Sequence, residues 1–504
     1  MREGYIAKQD RKTLLFLADD MRLHSGIGNM TKELVLGMAH RFNFIHVGGA
    51  LQHPDAGKVL DISADVNKQL GMDDASILIY PVNGYGDPNL IRLIMDRHKV
   101  DGIIHFTDPR YWVWLYQMSS EIRQQAPIIY YHIWDDLPAP LYNRPYYESC
   151  DLLLGISKQS YVISKMVLGE GNYVDVNKRT VVAENEYKRP VPKVAYVPHG
   201  INTKYYRPLK EEDYSQLRHY IFGGHKRPEF VALYNSRNIG RKMTSDLILG
   251  FKTFLDELKR LGKSTEDVYL LLHTDPVDQH GTDLPITVEH LCPEYISNVI
   301  IHSNKVNVEQ LNQIYNMSDV VVSIGSNEGW GLSSTEALVT GTPIINNVTG
   351  GLQDQLRFED EEGNWLELTP DLPTNHAGHY TQHGTWGTAL FPASRSLKGS
   401  PPTPYIFDDR IDWERLSLVL LEWYNHGKDK RKVLGELGRL WATGDEARFT
   451  AEHMANDFTY YVDELLTRWE PIPRYNMYNV TEEIERHKNK KTGILKKHKL
   501  TDNL

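Results

Sequence analysis

The chain has 504 residues, 41% hydrophobic and 24% charged, too many for one ordinary core and suited to two domains of about 200–250 residues in a cytoplasmic α/β enzyme. A net charge of −10 argues against general nucleic-acid affinity, and Cys150 and Cys292, outside any CxxC pair, exclude a thiolate zinc site. No apolar run approaches the roughly 18 residues of a membrane helix, and the first, at 14–18, is too short for a signal-peptide core.

In chain order, short apolar runs predict strands at 13–18, 44–48, 77–81, 102–106, 128–132, 152–156 and 194–197. Helical patterns lie between several of them, at 30–42, 89–98 and 158–167. Alternation at this spacing implies βαβ units and a parallel, doubly wound sheet. A polar, tyrosine-rich segment at 199–229 reads as an interdomain connection. The alternation then restarts, with strands at 230–235, 268–273, 299–302, 320–324 and 343–346 and helices at 245–261, 308–317 and 333–340.

From 357 to 404 the periodicity disappears, and prolines, glycines and histidines crowd what reads as a long functional or mobile loop. Helical pattern returns at 412–425, 428–441 and 450–469, and the tail ends in a basic run at 486–499. The expected division is 1–200, then 201–450 with an insertion at 357–404, then 451–504. The last part comprises a helix crossing back to the first domain and the basic tail.

Chemistry concentrates between the strand at 320–324 and the following helix, in Asn327-Glu328-Gly329-Trp330-Gly331-Leu332-Ser333-Ser334-Thr335-Glu336. A strand feeding a glycine-containing turn into a helix aims free N–H groups and the positive end of the helix dipole at one spot, which suits a diphosphate. Glycine lets the backbone approach the ligand. Carboxylates before the turn and inside the helix can accept hydrogen bonds from hydroxyls on either side of that diphosphate.

This segment resembles the E-x7-E motif of the family-four retaining glycosyltransferases. The resemblance implies the GT-B fold, in which two Rossmann-like, doubly wound domains face each other across a cleft. It further implies sugar contact by Glu328, ribose contact by Glu336, and diphosphate contact by Gly331 and Leu332, with Gly329, Trp330 and Ser333 in the same donor-binding loop. Arg237 and Lys242 resemble the family's Arg and Lys pair on the donor phosphates, with Arg241 an alternative to Lys242. Gly26, Ile27 and Gly28 resemble the cleft loop facing the donor, although Ser25 stands where a first glycine is usual. His132, at a strand end, matches a histidine that contacts the donor sugar and supports the reaction. Asp108, Trp134 and Asp135 are candidates for the acceptor side. Pro198-His199-Gly200-Ile201-Asn202 resembles the hinge, and Gly350-Gly351 a downstream glycine pair.

No Asp-x-Asp pair occurs, so the expected transferase is metal-independent and without cofactor, its cations supplied by Arg237 and Lys242. His376, His379 and His383 lie in a glycine-rich loop with no carboxylate partner and are not read as a metal site. The donor is expected to be a nucleotide diphosphate sugar, UDP-sugar foremost. The acceptor hydroxyl is by default that of a glycan, lipid or small molecule. The alternatives are a hydroxymethylated DNA base, for which the basic tail and Tyr111-Trp112-Val113-Trp114 would be suited, a catalytically silent sugar-nucleotide or glycan-binding protein, and a phosphorylase or epimerase of the same architecture.

Overall fold

Strands buried on both faces read as continuous apolar runs, and β1 (Lys12–Asp19) is of this kind, with every side chain from Leu14 to Ala18 fully buried. The computed structural model describes residues 4–169, 192–223, 228–376 and 378–472. The basic run at 486–499 lies outside them. Among the described residues no helix is long and apolar enough to cross a membrane.

The first sheet adds β2 (Phe42–Leu51), β3 (Leu60–Asp61), β4 (Ile77–Asn83), β5 (Gly102–Phe106), β6 (Ile128–His132), β7 (Leu152–Gly155) and β8 (Lys193–Tyr196). Its order is β3-β4-β2-β1-β5-β6-β7-β8, parallel except for the short antiparallel edge strand β3. The second sheet contains β9 (Phe230–Asn235), β10 (Val268–His273), β11 (Val299–His302), β12 (Val320–Ser323), β13 (Ile344–Asn347) and β14 (Gly387–Leu390). Its order, β11-β10-β9-β12-β13-β14, is parallel throughout. In each sheet the winding reverses once, between β1 and β5 and between β9 and β12. Ligands of open α/β sheets bind beyond the strand ends at such reversals. The loops leaving these four strands carry most of the candidate residues.

The segment 357–404 is not the structureless loop expected. It contributes β14 to the sheet edge and most of a hairpin, β15 (Ser394–Ser400) and β16 (Thr403–Arg410), paired antiparallel. That hairpin leans on the first domain, where the Phe407 N–H donates to the Leu137 carbonyl (2.8 Å) and Tyr142 Oη to the Tyr405 carbonyl (3.0 Å). A second bridge lies beside it. Asp354 accepts from the Lys158 N–H (2.9 Å) and Tyr196 Oη (2.9 Å), while the Lys158 ammonium sits 3.8 Å over the Trp365 ring.

The helices read at 412–425 and 428–441 are present as two helices within Trp413–Thr443, separated by a kink where Gly427 takes φ 71° and ψ 163°. Helix Ala451–Arg468 packs on helix Gly26–Met38 of the first domain, and Arg41 pairs with Asp463 (2.6 Å). The hinge and the segment before helix Ala451–Arg468 run side by side: the Ile201 N–H donates to the Phe449 carbonyl (2.9 Å), and a Cβ on Gly200 would stand 2.1 Å from the Thr450 carbonyl oxygen.

Candidate active site

The loop from β12 into helix Leu332–Thr340 is bedded on glycines. Gly331 opens the helix at φ 88°, in the left-handed region that suits glycine. Beneath it, a Cβ on Gly350 (φ 51°) would fall 1.9 Å from the Glu328 carbonyl oxygen, and one on Gly351 would fall 2.4 Å from that of Gly329. The downstream glycine pair therefore exists because the backbone of 328–330 lies directly on it. Ser334 Oγ donates to Asn346 Oδ1 (2.9 Å) and is hydrogen-bonded to Ser323 Oγ (3.0 Å), tying the first turn to β12 and to β13. By helix geometry the N–H groups of Leu332 and Ser333 have no carbonyl one turn back to bond.

Glu328 is the electrostatic centre. Lys242 Nζ is in direct contact with its carboxylate, and Arg241 lies 3.6 Å away while donating to the Asn327 carbonyl at 2.5 Å. Burial pushes the Glu328 carboxyl up, but Lys242 and Arg241 outweigh it and hold the group below its ordinary range. Burial acts on Lys242 in the opposite sense, lowering it against the pull of Glu328. We assign the ion pair as charged, because two cations face the one carboxylate. Arg237 stands apart, its side chain 62% exposed and paired with Asp278 at 3.0 Å. The two cations on Glu328 are thus Lys242 and Arg241.

Across the cleft stand Asp135 and Asp136, which follow β6. Asn327 Nδ2 donates to Asp136, and Trp134 Nε1 donates to the Asp136 carbonyl (3.0 Å). Burial and the neighbouring Asp135 drive the Asp136 carboxyl well up. Burial also raises Asp135, with Arg241 opposing and Glu328 reinforcing. The ionised form of Asp136 is thus opposed by its neighbour Asp135 as well as by burial. The loops touch here: a Cβ on Gly329 would lie 3.1 Å from the Ile133 carbonyl oxygen, and one on Gly26 would lie 3.3 Å from Leu332 Cδ1.

Glu336 sits one turn along the same helix. Its carboxylate accepts from Tyr315 Oη (2.5 Å) and is also held by Tyr206, which comes from the interdomain connection. Burial raises Glu336 to about 7, with the two phenols acting against it.

His132 requires correction. It is fully buried, its Nε2 bonded to Tyr147 Oη (2.5 Å) and its Nδ1 near the Ser160 carbonyl and Ser164 Oγ (both 3.1 Å). Burial lowers its pKa to about 3, so it is a neutral core histidine that cannot reach a sugar. The Trp330 side chain is likewise buried, edge-on to His199 and Phe449, leaving only its backbone to the donor loop. Trp112 is fully buried, which removes the centre of the aromatic stretch read as suited to DNA. Trp134 is also buried, under the Arg110 guanidinium at 5.4 Å.

In the cleft loop, Ser25 Oγ accepts from the Gly28 N–H (3.0 Å) and caps helix Gly26–Met38, a reason for serine there. Gly28 is needed because a Cβ would meet the Leu23 carbonyl at 2.8 Å, whereas Gly26 is exposed and Ile27 half-buried. Asp108 accepts from Arg110 Nε (2.9 Å). Sequence reasoning had not singled out Asp136, Asn327, Tyr206 or Tyr315. An Asp-Asp pair after a strand was a readable signal, but the tyrosines gave none.

Comparison with solved structures establishes the fold as GT-B. A glycosyltransferase from Rickettsia africae is 16% identical and superposes with a TM-score of 0.58 over 91% of this chain and 100% of that one. HepE of Anabaena, in complex with UDP and glucose, is 14% identical with a TM-score of 0.59, covering 90% and 100%. Sucrose-phosphate synthase from Thermosynechococcus elongatus is 16% identical with a TM-score of 0.59, covering 91% and 100%. The fold is thus that of the GT-B glycosyltransferases. Residues 293–368, which contain the E-x7-E segment, match the family model "Glycosyl transferases group 1". A comparison with curated proteins finds no match.

Proposed function

We propose that the chain is a retaining, metal-independent transferase that moves a sugar from a nucleotide diphosphate, UDP-sugar foremost, to an acceptor hydroxyl, without a cofactor and in a reducing cytoplasm. The observation that carries the reading is Glu328, held ionised by Lys242 and Arg241 beside a helix start with free N–H groups. The UDP and glucose bound to HepE support the donor class, and two buried, unpaired cysteines suit a reducing compartment.

In this reading the diphosphate rests on the Leu332 and Ser333 N–H groups, and Lys242 and Arg241 neutralise the charge that grows on it as it leaves. Glu336 receives the ribose hydroxyls and Glu328 a sugar hydroxyl. The acceptor oxygen bonds to the anomeric carbon, on the face the diphosphate vacates, as the bond from that carbon to the diphosphate oxygen breaks. The hydroxyl proton passes to the departing phosphate oxygen. Asp135, within the field of Glu328 and Arg241, takes the orienting role expected of His132.

A nucleotide-sugar screen by thermal shift, followed by mass and NMR analysis of products, tests this. Full activity in excess EDTA and an α-linked product from an α-configured donor are expected. Loss of activity restored by Mn²⁺ would remove the metal-independent part, and a β-linked product the retaining part. Glu336→Ala should chiefly weaken donor binding and Glu328→Ala chiefly slow turnover; near-normal kinetics in both variants would place the site elsewhere.

Donor binding should also depend on pH through Glu336, which only as the anion accepts both ribose hydroxyls. With its pKa near 7, UDP affinity is expected to fall about 10-fold between about pH 8 and about pH 6. The stability linkage has the opposite sense. The folded pKa lies above the ordinary 4.5, so the native state binds the extra proton and Glu336 costs stability as pH rises from about 4.5 to about 7. Titration calorimetry with UDP reads the binding effect, and a profile as steep in Glu336→Gln would assign it to another group.

A further inference from the structure

A strand edge presents backbone donors and acceptors that need partners, and the edge of β16 turned away from β15 finds them in three places, in order along the strand. The Tyr405 carbonyl accepts from Tyr142 Oη (3.0 Å) and the Phe407 N–H donates to the Leu137 carbonyl (2.8 Å), both in the first domain. Next, the Phe407 carbonyl accepts from Asn327 Nδ2 (2.5 Å) and the Asp409 N–H donates to the Ser326 carbonyl (3.2 Å), both in the donor loop. Last, the Asp409 carbonyl accepts from Asn347 Nδ2 (2.9 Å), just before the glycine bed. Successive side chains of a strand point to opposite faces, and here both are used. Asp408 accepts from Ser326 Oγ (2.5 Å) and pairs with Lys398 of β15. Asp409 accepts from Thr349 Oγ1 (3.0 Å) and lies 3.1 Å from both Arg395 and His376, so His376 has a carboxylate partner from outside its own loop. Burial pushes the Asp409 carboxyl up, but His376 and Arg395 outweigh it and hold it below its ordinary range.

We propose that Asp408 and Asp409 are positioning residues and that the hairpin is a strap, which sets Glu328 for reaction while β16 is seated on the first domain at 137–142; the inference rests on the transfer reading above. Glu328 follows Ser326 and Asn327 directly, so its carboxylate inherits its place from backbone that β16 fixes. The strap grips this stretch from above through Asp408 and from below through Asp409 and Thr349, the residue before Gly350. The rest of the donor site has supports of its own. The start of helix Leu332–Thr340 is held by Ser334 on Asn346 and Ser323, and Glu336 by Tyr315 and Tyr206. The strap therefore acts on the sugar end of the donor and leaves the diphosphate and ribose contacts alone. Its grip depends on the first domain because a two-stranded hairpin is marginal by itself. β15 is exposed along its whole length, so β16 is ordered by what it docks on, and the Tyr405 hydroxyl, which donates to the Ala139 carbonyl (3.1 Å) and accepts from the Leu141 N–H (3.2 Å), completes that seat.

The test uses the full chain with the donor found by the screen. Turnover is read as sugar transfer or as acceptor-free donor hydrolysis, and UDP binding by titration calorimetry. Asp408→Ala is expected to lower kcat about 100-fold with the Kd for UDP unchanged, and Asp408→Asn, which keeps an oxygen for Ser326 Oγ, to restore most of it. Tyr142→Phe removes one bond between β16 and the first domain and is expected to lower kcat about 5-fold. Placed in the Asp408→Ala background it should do nothing further, because the strap has already let go of the donor loop. Thr349→Val deletes only the hydroxyl held by Asp409 and should show the same split, about 5-fold in kcat at constant UDP affinity, so the proposal stays testable where Asp408→Ala does not fold. Wild-type kcat in Asp408→Ala or Thr349→Val, a loss of UDP binding that matches the loss of kcat, or effects of Tyr142→Phe and Asp408→Ala that simply multiply would each overturn the strap while leaving the transferase reading intact. A wild-type chain that binds no nucleotide sugar would instead overturn the reading beneath it.

Discussion

Lys242→Ala is expected to lower turnover by about 10³-fold, because it removes the ammonium positioned where charge develops on the leaving diphosphate. Donor affinity should fall less, since the helix N–H groups and Glu336 still bind ground-state donor. The variant should also be less stable by about 3 kcal/mol: Glu328, its side chain 18% exposed, loses the cation in direct contact and keeps only Arg241 at 3.6 Å. The two effects separate in a double variant. Lys242→Ala with Glu328→Gln removes the uncompensated charge, so its melting temperature should recover while its turnover stays low. Thermal melts and a donor-consumption assay read the two quantities. Wild-type turnover in Lys242→Ala would show that another cation, Arg237 for instance, carries the charge.

How much of this was legible follows from how local each feature is. Strands written as apolar runs are legible, so β10 and β11 occupy the very residues 268–273 and 299–302 read from sequence. β14 was missed because Gly387-Thr388-Ala389-Leu390 is too short and too small-sided to show a run. β15 was missed because all its residues are exposed, so no core imposed an alternation. The break read at 425–428 is present as a kink between two helices, where Gly427 leaves helical geometry.

The site divides in the same way. Strand, glycine turn and helix are contiguous, so the donor loop and its two glutamates could be read directly. The rule that a strand end faces the crevice does not say to which side each residue turns, and His132 turned into the core beneath Tyr147. The Asn327–Asp136 contact joins residues 191 positions apart, and Tyr206 reaches Glu336 from a segment read only as a connection. Contacts of that separation leave no periodic mark. The register between Arg237, Arg241 and Lys242 also needed coordinates, because the 3-10 turn Gly240–Lys242 sets which cation faces Glu328.

Gly350→Ala should cost about 100-fold or more in transfer, although no side chain of the site is touched. The new methyl carbon would stand 1.9 Å from the Glu328 carbonyl oxygen, a backbone atom that cannot rotate away, and residue 350 would still be required at φ 51°. Relief requires the 328–330 backbone to lift by an ångström or more, which misplaces Glu328 and the start of helix Leu332–Thr340, and a shift of about 1 Å near a reacting centre costs about 10²-fold. Left-handed strain alone is worth about 1–3 kcal/mol and is isolated by Gly363→Ala, where φ is 82° but nothing lies within 4 Å of the added carbon. That control should melt earlier yet transfer sugar normally. If Gly350→Ala behaves like the control, the glycine is needed only for its backbone angle, and the donor loop does not depend on the bed beneath it.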